Sequence, residues 1–125
     1  MAMLRLELFV HDLGAAQDFY ERVLGFDRSI VRADGYTVMR LDGVQIDLQP
    51  VEHLSDGHPA KPSEGERVGL GVEIVLEVAD VHVVSARVVE SGWPIAKPLI
   101  ERPWGLTDFR ALDPDGRYVR VTSSA

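Results

Sequence analysis

The sequence contains no cysteine, so neither disulfide bonds nor thiol chemistry takes part in its fold or function. A chain without disulfides fits a reducing compartment, and we expect a cytoplasmic protein. Long apolar runs are also missing, because charged residues interrupt the hydrophobic stretches, and no segment is predicted to span a bilayer. Residues 1–8 lack the apolar run and the cleavage site of a signal peptide, so we expect no export signal in them.

Basic residues are scarce: 13 Lys and Arg residues stand against 20 Asp and Glu residues, and the net charge is −7. An acidic chain repels phosphate backbones and anionic lipid headgroups, so we expect neither nucleic acid nor membrane as a partner. The length of 125 residues fits a single domain that can bury a core without staples.

The first part of the chain, about residues 3–50, predicts a strand, a helix and three further strands. Leu4–Val10 alternates around charged residues, which is typical of a strand with one covered face. Asp12 can cap a helix whose apolar stripe is closed by Gly25. Two Asp-Gly pairs then predict tight turns between strands. These three strands are predicted near residues 26–32, 36–41 and 44–49.

The same order of elements begins again after residues 51–68, a polar stretch rich in Pro and Gly that is interpreted as a linker. In this second module, residues 69–125, Asp80 can cap a helix that ends at Gly92. Valines in that helix favour a strand by propensity, so two strands over residues 70–89 are an alternative. The spacing from capping Asp to closing Gly copies the first module and favours the helix. The other strands are predicted at 70–78 and near 95–99, 106–112 and 117–122.

Aligning the two modules on their helix caps and turns matches Arg5 with Glu73 and Asp47 with Arg120. At these two matched positions each module therefore has one positive and one negative residue, and the order of the signs is reversed between the modules. Strand alternation places these four residues, with Glu7, on the sheet face opposite the helices. A sheet with one solvated face explains the same pattern without any ligand, and this alternative stays open.

Two sequence motifs point to a known family. Phe9–Phe26 meets the pattern F-V-x-D-L-x-x-A-x-x-F-Y-E-x-V-L-G-F, and Arg102–Gly116 meets R-P-W-G-L-x-D-F-x-x-x-D-P-D-G. With these motifs the chain resembles the vicinal oxygen chelate superfamily, in particular its glyoxalase and bleomycin-resistance-like branch. The resemblance implies an α+β fold of two βαβββ modules whose curved mixed sheets form a shared cavity. It also implies a homodimer, since in many members a second copy completes the cavity.

Enzymes of this superfamily place His, Glu or Gln at four metal-binding positions, which correspond here to Arg5, Asp47, Glu73 and Arg120. A guanidinium group is positively charged and has no lone pair to donate to a metal. We therefore expect no metal and no other cofactor, the alternative being a divalent cation at Asp47 and Glu73. The four charges sum to zero, so they can form a structural salt-bridge cluster or contact a charged ligand.

Aromatic residues are the other candidates for ligand contacts, because large flat side chains near strand ends can stack on a small molecule. Tyr36, Phe109 and Trp104 are predicted to bind the ligand, with Trp104 in the R-P-W-G segment as the first choice. For Phe109 and Trp93, packing in the core is the competing interpretation.

The resemblance implies a metal-independent protein that binds a small molecule, such as an antibiotic or an aromatic metabolite that it sequesters. The alternative is an enzyme of the superfamily: a lyase, an isomerase or a ring-cleaving dioxygenase, with or without a divalent metal. A metal-free isomerase would use Glu73 or Glu7 as its base. A third hypothesis is an interaction module with no small ligand. The sequence does not decide whether the protein is catalytic.

Overall fold

The structure, a computed structural model, describes residues 1–124. The chain divides into two compact units, Met1–Glu66 and a second unit that begins at Arg67. Each unit contains a strand, a helix and three further strands, as the internal repeat predicts. Among the described residues, no helix has the length and apolar content that crossing a bilayer requires.

The first unit is a four-stranded mixed sheet with one helix. Its sheet has the order β1-β4-β3-β2, in which β1 is parallel to β4 and the other pairs are antiparallel. The elements are β1 (Arg5–Val10), α1 (Leu13–Asp18), a π-helical turn (Phe19–Val23), β2 (Asp27–Val31), β3 (Thr37–Leu41), β4 (Val44–Pro50) and a 3₁₀ turn (Val51–His53).

Helix α1 begins where the sequence predicts, and the helical segment continues through the π-helical turn to the predicted closing Gly25. The Asp12 carboxylate accepts a hydrogen bond from the Ala15 amide at 3.0 Å, and Gly25 has a φ of 90°. The π-helical turn was not predicted. It contains the fully buried rings of Phe19 and Tyr20, which pack edge to face with centroids 4.9 Å apart. The wider turn therefore lies where two consecutive aromatic residues both enter the core.

The second unit repeats this topology, with the sheet order β5-β8-β7-β6 and β5 parallel to β8. Its elements are β5 (Glu73–Val78), α2 (Val81–Ser91), β6 (Lys97–Glu101), β7 (Thr107–Leu112) and β8 (Tyr118–Ser123).

The valine-rich segment after β5 forms helix α2, so the alternative of two strands over residues 70–89 is wrong. The Asp80 carboxylate accepts hydrogen bonds from the amides of His82 and Val83 at 3.1 and 3.2 Å, and Gly92 closes the helix with a φ of 81°. These caps outweigh a weak β-propensity, since each N-cap is worth about 1 kcal/mol.

The apolar face of each sheet forms the core, and strand alternation predicts it correctly within the strands. The buried strand residues are Leu8, Val10, Ile46 and Leu48 in the first unit and Ile74, Leu76, Val119 and Val121 in the second. The strand predicted at 70–78 places Val72 on this face by alternation, which is wrong: Val72 is exposed, because β5 begins only at Glu73. The start of the predicted linker also packs, since Val51 and Leu54 are buried.

Candidate functional site

In the first unit, the register of two strands brings the predicted charges together. Glu7 lies opposite Asp47 on β1 and β4, and Arg5 lies two residues before Glu7 on the same face. Arg5 Nη2 is 3.6 Å from Glu7 Oε1, and Arg5 Nε is 3.7 Å from Asp47 Oδ2. The Arg5 side chain is 62% exposed and that of Asp47 only 1%, so the arginine covers a buried carboxylate.

Tyr36 links the two carboxylates of the first unit. Its hydroxyl oxygen is 2.6 Å from Glu7 Oε1 and 2.9 Å from Asp47 Oδ2. The phenol hydroxyl has a single hydrogen, so it donates fully to only one carboxylate at a time. Burial, reinforced by the hydrogen bonds and charges of both carboxylates, raises the pKa of Tyr36 above its ordinary value. The phenol therefore stays protonated at neutral pH.

This first-unit cluster has more acceptors than donors. Gln45 Nε2 donates to both Asp47 oxygens at 3.0 and 3.1 Å, whereas Glu7 Oε2 is buried and has no hydrogen-bond partner. The Tyr36 ring, predicted as a surface for ligand stacking, already faces the Arg32 guanidinium, 5.0 Å from its centroid. The polar contribution of Tyr36 is thus its hydroxyl, and the free acceptor of the cluster is Glu7 Oε2.

In the second unit, Glu73 lies between two arginines. Arg120 Nε is 3.2 Å from Glu73 Oε1, as the alignment of the modules predicts. Arg110, which the sequence reasoning missed, places its Nε 3.5 Å from the same oxygen. Arg110 lies directly opposite Arg120 on β7 and β8, and its guanidinium is 5.9 Å from the centroid of the Tyr118 ring. Extending the hairpin register back from the Asp-Pro-Asp-Gly turn would have found Arg110.

A second carboxylate of this unit, Asp108, was also missed. It is buried, and its Oδ1 accepts from Arg102 Nε and lies near Arg102 Nη2, both at 2.9 Å. Arg110 Nη1 is 3.5 Å from the same oxygen. Arg102 and Asp108 both belong to the R-P-W-G-L-x-D-F motif, but the motif by itself does not show that they pair. We call Glu73, Arg102, Asp108, Arg110 and Arg120 the arginine cluster.

The aromatic candidates of the second unit occupy different environments. Trp104 is 62% exposed in the turn that Gly105 closes by donating to the Arg102 carbonyl at 2.9 Å. Phe109 is completely buried, and its register partner is Val121, so it lies on the core face, away from Arg120. This position favours the packing interpretation of Phe109 over ligand contact.

Trp93, the other residue weighed as core, lines a pocket. Its Nε1 donates to the Leu112 carbonyl at 2.9 Å, and the pocket has a volume of about 250 Å³. The pocket is lined by Trp93, Pro94, Ala96, Leu112, Asp113 and Pro114. None of these residues belongs to the arginine cluster.

The donor set does not fit a divalent metal. Of the four corresponding positions, Arg5 and Arg120 supply guanidinium groups, and each lies beside the carboxylate of its own unit, Asp47 or Glu73. A guanidinium cannot ligate a cation and repels it. Within residues 1–124, no group of three or more His, Asp and Glu side chains is placed to hold a metal ion.

Comparisons with known proteins agree with the fold. A sequence model of the Glyoxalase/Bleomycin resistance protein/Dioxygenase superfamily matches residues 2–121. TioX from Micromonospora sp. ML1 superposes with a TM-score of 0.79 at 24% identity, over 100% of both chains. A glyoxalase/bleomycin resistance protein/dioxygenase from Nocardioides gives 0.77 at 21% identity, over 98% of this chain and 83% of its own.

Lactoylglutathione lyase from Agrobacterium tumefaciens gives a TM-score of 0.74 at 20% identity, over 98% of this chain and 93% of its own. At such identities the likeness is one of fold alone. A search of curated protein sequences gives no match.

Proposed function

The chain belongs to the Glyoxalase/Bleomycin resistance protein/Dioxygenase superfamily, and we propose that it binds a small molecule without the help of a metal ion. The observation that carries this proposal is the pairing of Arg5 with Asp47 and of Arg120 with Glu73, at distances of 3.7 and 3.2 Å. The resemblance to the family implies that Arg5 and Arg120 stand at positions of metal ligands, so we infer that the ligand is recognised by hydrogen bonds and charge instead.

The polar sheet faces supply the contacts that such recognition needs. Glu7 Oε2 and Arg120 Nε are buried without hydrogen-bond partners, so each can be satisfied by a ligand group. Trp104 is exposed and offers a large flat surface for stacking. These features suit a partly aromatic compound, an antibiotic or an aromatic metabolite, which the protein sequesters.

A homodimer in the cytoplasm is part of the proposal. Apolar side chains remain exposed near the first strand of each unit, and large exposed apolar side chains mark interaction surfaces where they cluster. These residues are Met3 and Leu4 before β1 and Leu70 and Val72 before β5. Strands β1 and β5 each pair with only one strand of their own sheet, so each has an open edge that a partner can use.

The second candidate function is a metal-free isomerase or lyase, and the first unit favours Glu7 over Glu73 as its base. Glu7 Oε2 has no partner, and its other oxygen is 2.6 Å from the Tyr36 hydroxyl, a proton donor. Glu73 Oε1, by contrast, lies between two guanidinium groups: it accepts from Arg110 Nε at 3.5 Å and is 3.2 Å from Arg120 Nε.

A thermal-shift screen, run on the protein with and without a metal chelator, tests the binding function. A compound at ten times its Kd stabilises the native state by about 1.4 kcal/mol, which corresponds to a rise in Tm of roughly 3–6 °C. We expect such a rise for at least one compound in a library of antibiotics and aromatic metabolites, with and without chelator. A shift that disappears on chelation, or no shift across the library, would contradict the proposal. Chromatography then distinguishes turnover from binding: an enzyme consumes the compound over time, whereas a binding protein leaves its amount unchanged.

A further inference from the structure

The arginine cluster of the second unit carries more positive than negative charge, and we propose that it binds a carboxylate group of the ligand. This inference rests on the proposed binding function and names the chemistry that one part of the ligand must have.

The surplus charge follows from the pairing within the cluster. Three guanidinium groups face two carboxylates. Arg102 engages Asp108 at 2.9 Å, while Arg110 and Arg120 share one oxygen of Glu73 at 3.5 and 3.2 Å. The side chains of the three arginines are only 23, 16 and 28% exposed. A positive charge largely removed from water needs a counter-charge, because desolvation penalises an unpaired ion.

The strand register concentrates this charge. Lys97 lies opposite Arg110, and Arg110 lies opposite Arg120, so three cations form one row across β6, β7 and β8. Like charges directly opposite one another destabilise a sheet. Glu77 lies on the same face, opposite Thr122, and is exposed, as is Lys97. The negative charge of Glu77 offsets the positive charge of Lys97 in the net charge of that face. The net positive charge therefore stays with Arg110 and Arg120.

Arg120 retains a hydrogen-bond donor that can serve a ligand. Its Nε is buried and has no hydrogen-bond partner, although Glu73 Oε1 is 3.2 Å away, because that contact is not aligned for a hydrogen bond. A buried N–H group ordinarily has an acceptor. A carboxylate matches the fork of a guanidinium with two parallel hydrogen bonds. It also carries a single negative charge, equal to the surplus, whereas a phosphate monoester carries nearly two.

Nuclear magnetic resonance of the arginine Nε–Hε groups in the full-length protein tests this proposal. Benzoate and its neutral analogue benzamide are titrated in parallel. We expect benzoate to shift the Arg110 and Arg120 signals saturably and benzamide to bind at least about tenfold more weakly, since a charged hydrogen bond contributes roughly 1.5 kcal/mol or more. Phenyl phosphate serves as the third probe and is expected to bind more weakly than benzoate.

Two variants of the cluster and one control sharpen the result. Arg120→Gln, and separately Arg110→Lys, which keeps the charge but loses the fork, are expected to weaken benzoate binding about tenfold. Arg22→Gln, which alters an exposed arginine paired with Asp18 at 3.0 Å, is expected to keep wild-type affinity. Retained backbone spectra show that each variant is folded.

The outcomes separate this inference from the binding function. Equal affinity for benzoate and benzamide, or unchanged benzoate binding in both cluster variants, would overturn the carboxylate site while a hit in the thermal-shift screen leaves the binding function intact. Tighter binding of phenyl phosphate would also overturn it, in favour of a phosphate. Failure of the binding function itself has a different signature, the absence of any hit among charged and neutral compounds alike.

Discussion

Replacing Asp108 with Ala is expected to lower the free energy of unfolding by about 3 kcal/mol, because removing one partner of a buried ion pair leaves the other charge unmatched. The Asp108 side chain is 1% exposed, with its Oδ1 2.9 Å from Arg102 Nη2 and 3.5 Å from Arg110 Nη1. Without it, three guanidinium groups face Glu73 alone. The arginines keep some contact with water, which holds the cost below that of a fully buried charge.

Denaturant unfolding of a matched set measures this effect. Asp56 also pairs with a cation, Lys61 at 2.9 Å, but is fully exposed, so Asp56→Ala is expected to leave the unfolding midpoint unchanged. The double variant Asp108→Ala/Arg102→Met removes both charges of the pair and is expected to recover about half of the loss. If Asp108→Ala unfolds at the same denaturant concentration as wild type, the arginine cluster is not the charged network described above.

Replacing Tyr36 with Phe is expected to cost about 2–3 kcal/mol of unfolding free energy at neutral pH. The change removes the hydroxyl that lies 2.6 Å from Glu7 Oε1 and 2.9 Å from Asp47 Oδ2. The two carboxylate oxygens then lose this hydrogen-bond donor. Tyr118→Phe is the matched control, because the Tyr118 hydroxyl makes no hydrogen bond among the interactions described for residues 1–124, and it is expected to have little effect.

The difference in unfolding free energy between wild type and Tyr36→Phe depends on pH because the pKa of Tyr36 is raised. Burial is the main cause of this rise, and the two carboxylates add to it. A group whose pKa is higher in the folded state stabilises the fold fully below its unfolded pKa, about 10 for tyrosine, and loses this contribution as the pH rises towards the folded pKa. The gap between wild type and Tyr36→Phe is therefore expected to be constant near pH 7 and to narrow above about pH 10. A gap that widens there would contradict the described environment of Tyr36.

The fold was predictable because its signals occur twice. A capping Asp precedes each helix and a Gly with positive φ closes each helical segment, directly after α2 and after the π-helical turn that extends α1. The second copy identified α2 although its valines favour strands. The turns were also encoded locally: Asp42 has a φ of 48° and Gly116 a φ of 90°, as their turns require. The π-helical turn in Phe19–Val23 had no comparable local signal, because it depends on how two aromatic rings pack.

The candidate site was predictable only in part. Alternation and the repeat placed Arg5 with Asp47 and Glu73 with Arg120, and the structure brings each pair together. Phe109, by contrast, lies on the core face. Its two neighbours in β7, Asp108 and Arg110, belong to the arginine cluster, because consecutive strand residues point to opposite sides of the sheet.

The remaining contacts depend on distances that no pattern in a single sequence encodes. Arg102 meets Asp108 only once β6 and β7 close their hairpin. The Tyr36 hydroxyl reaches Glu7 and Asp47 across 29 and 11 positions of sequence. Sequence reasoning proposed the Tyr36 ring for stacking, whereas the structure engages its hydroxyl.

Metal content is the most direct test of whether arginines have taken the place of metal ligands. Elemental analysis of protein purified without a chelator or a metal-affinity tag should give Ni, Zn, Mn and Fe far below one ion per chain. One ion per chain, lost when Asp47→Asn or Glu73→Gln is introduced, would show that these carboxylates coordinate a cation and that the guanidinium groups leave room for it.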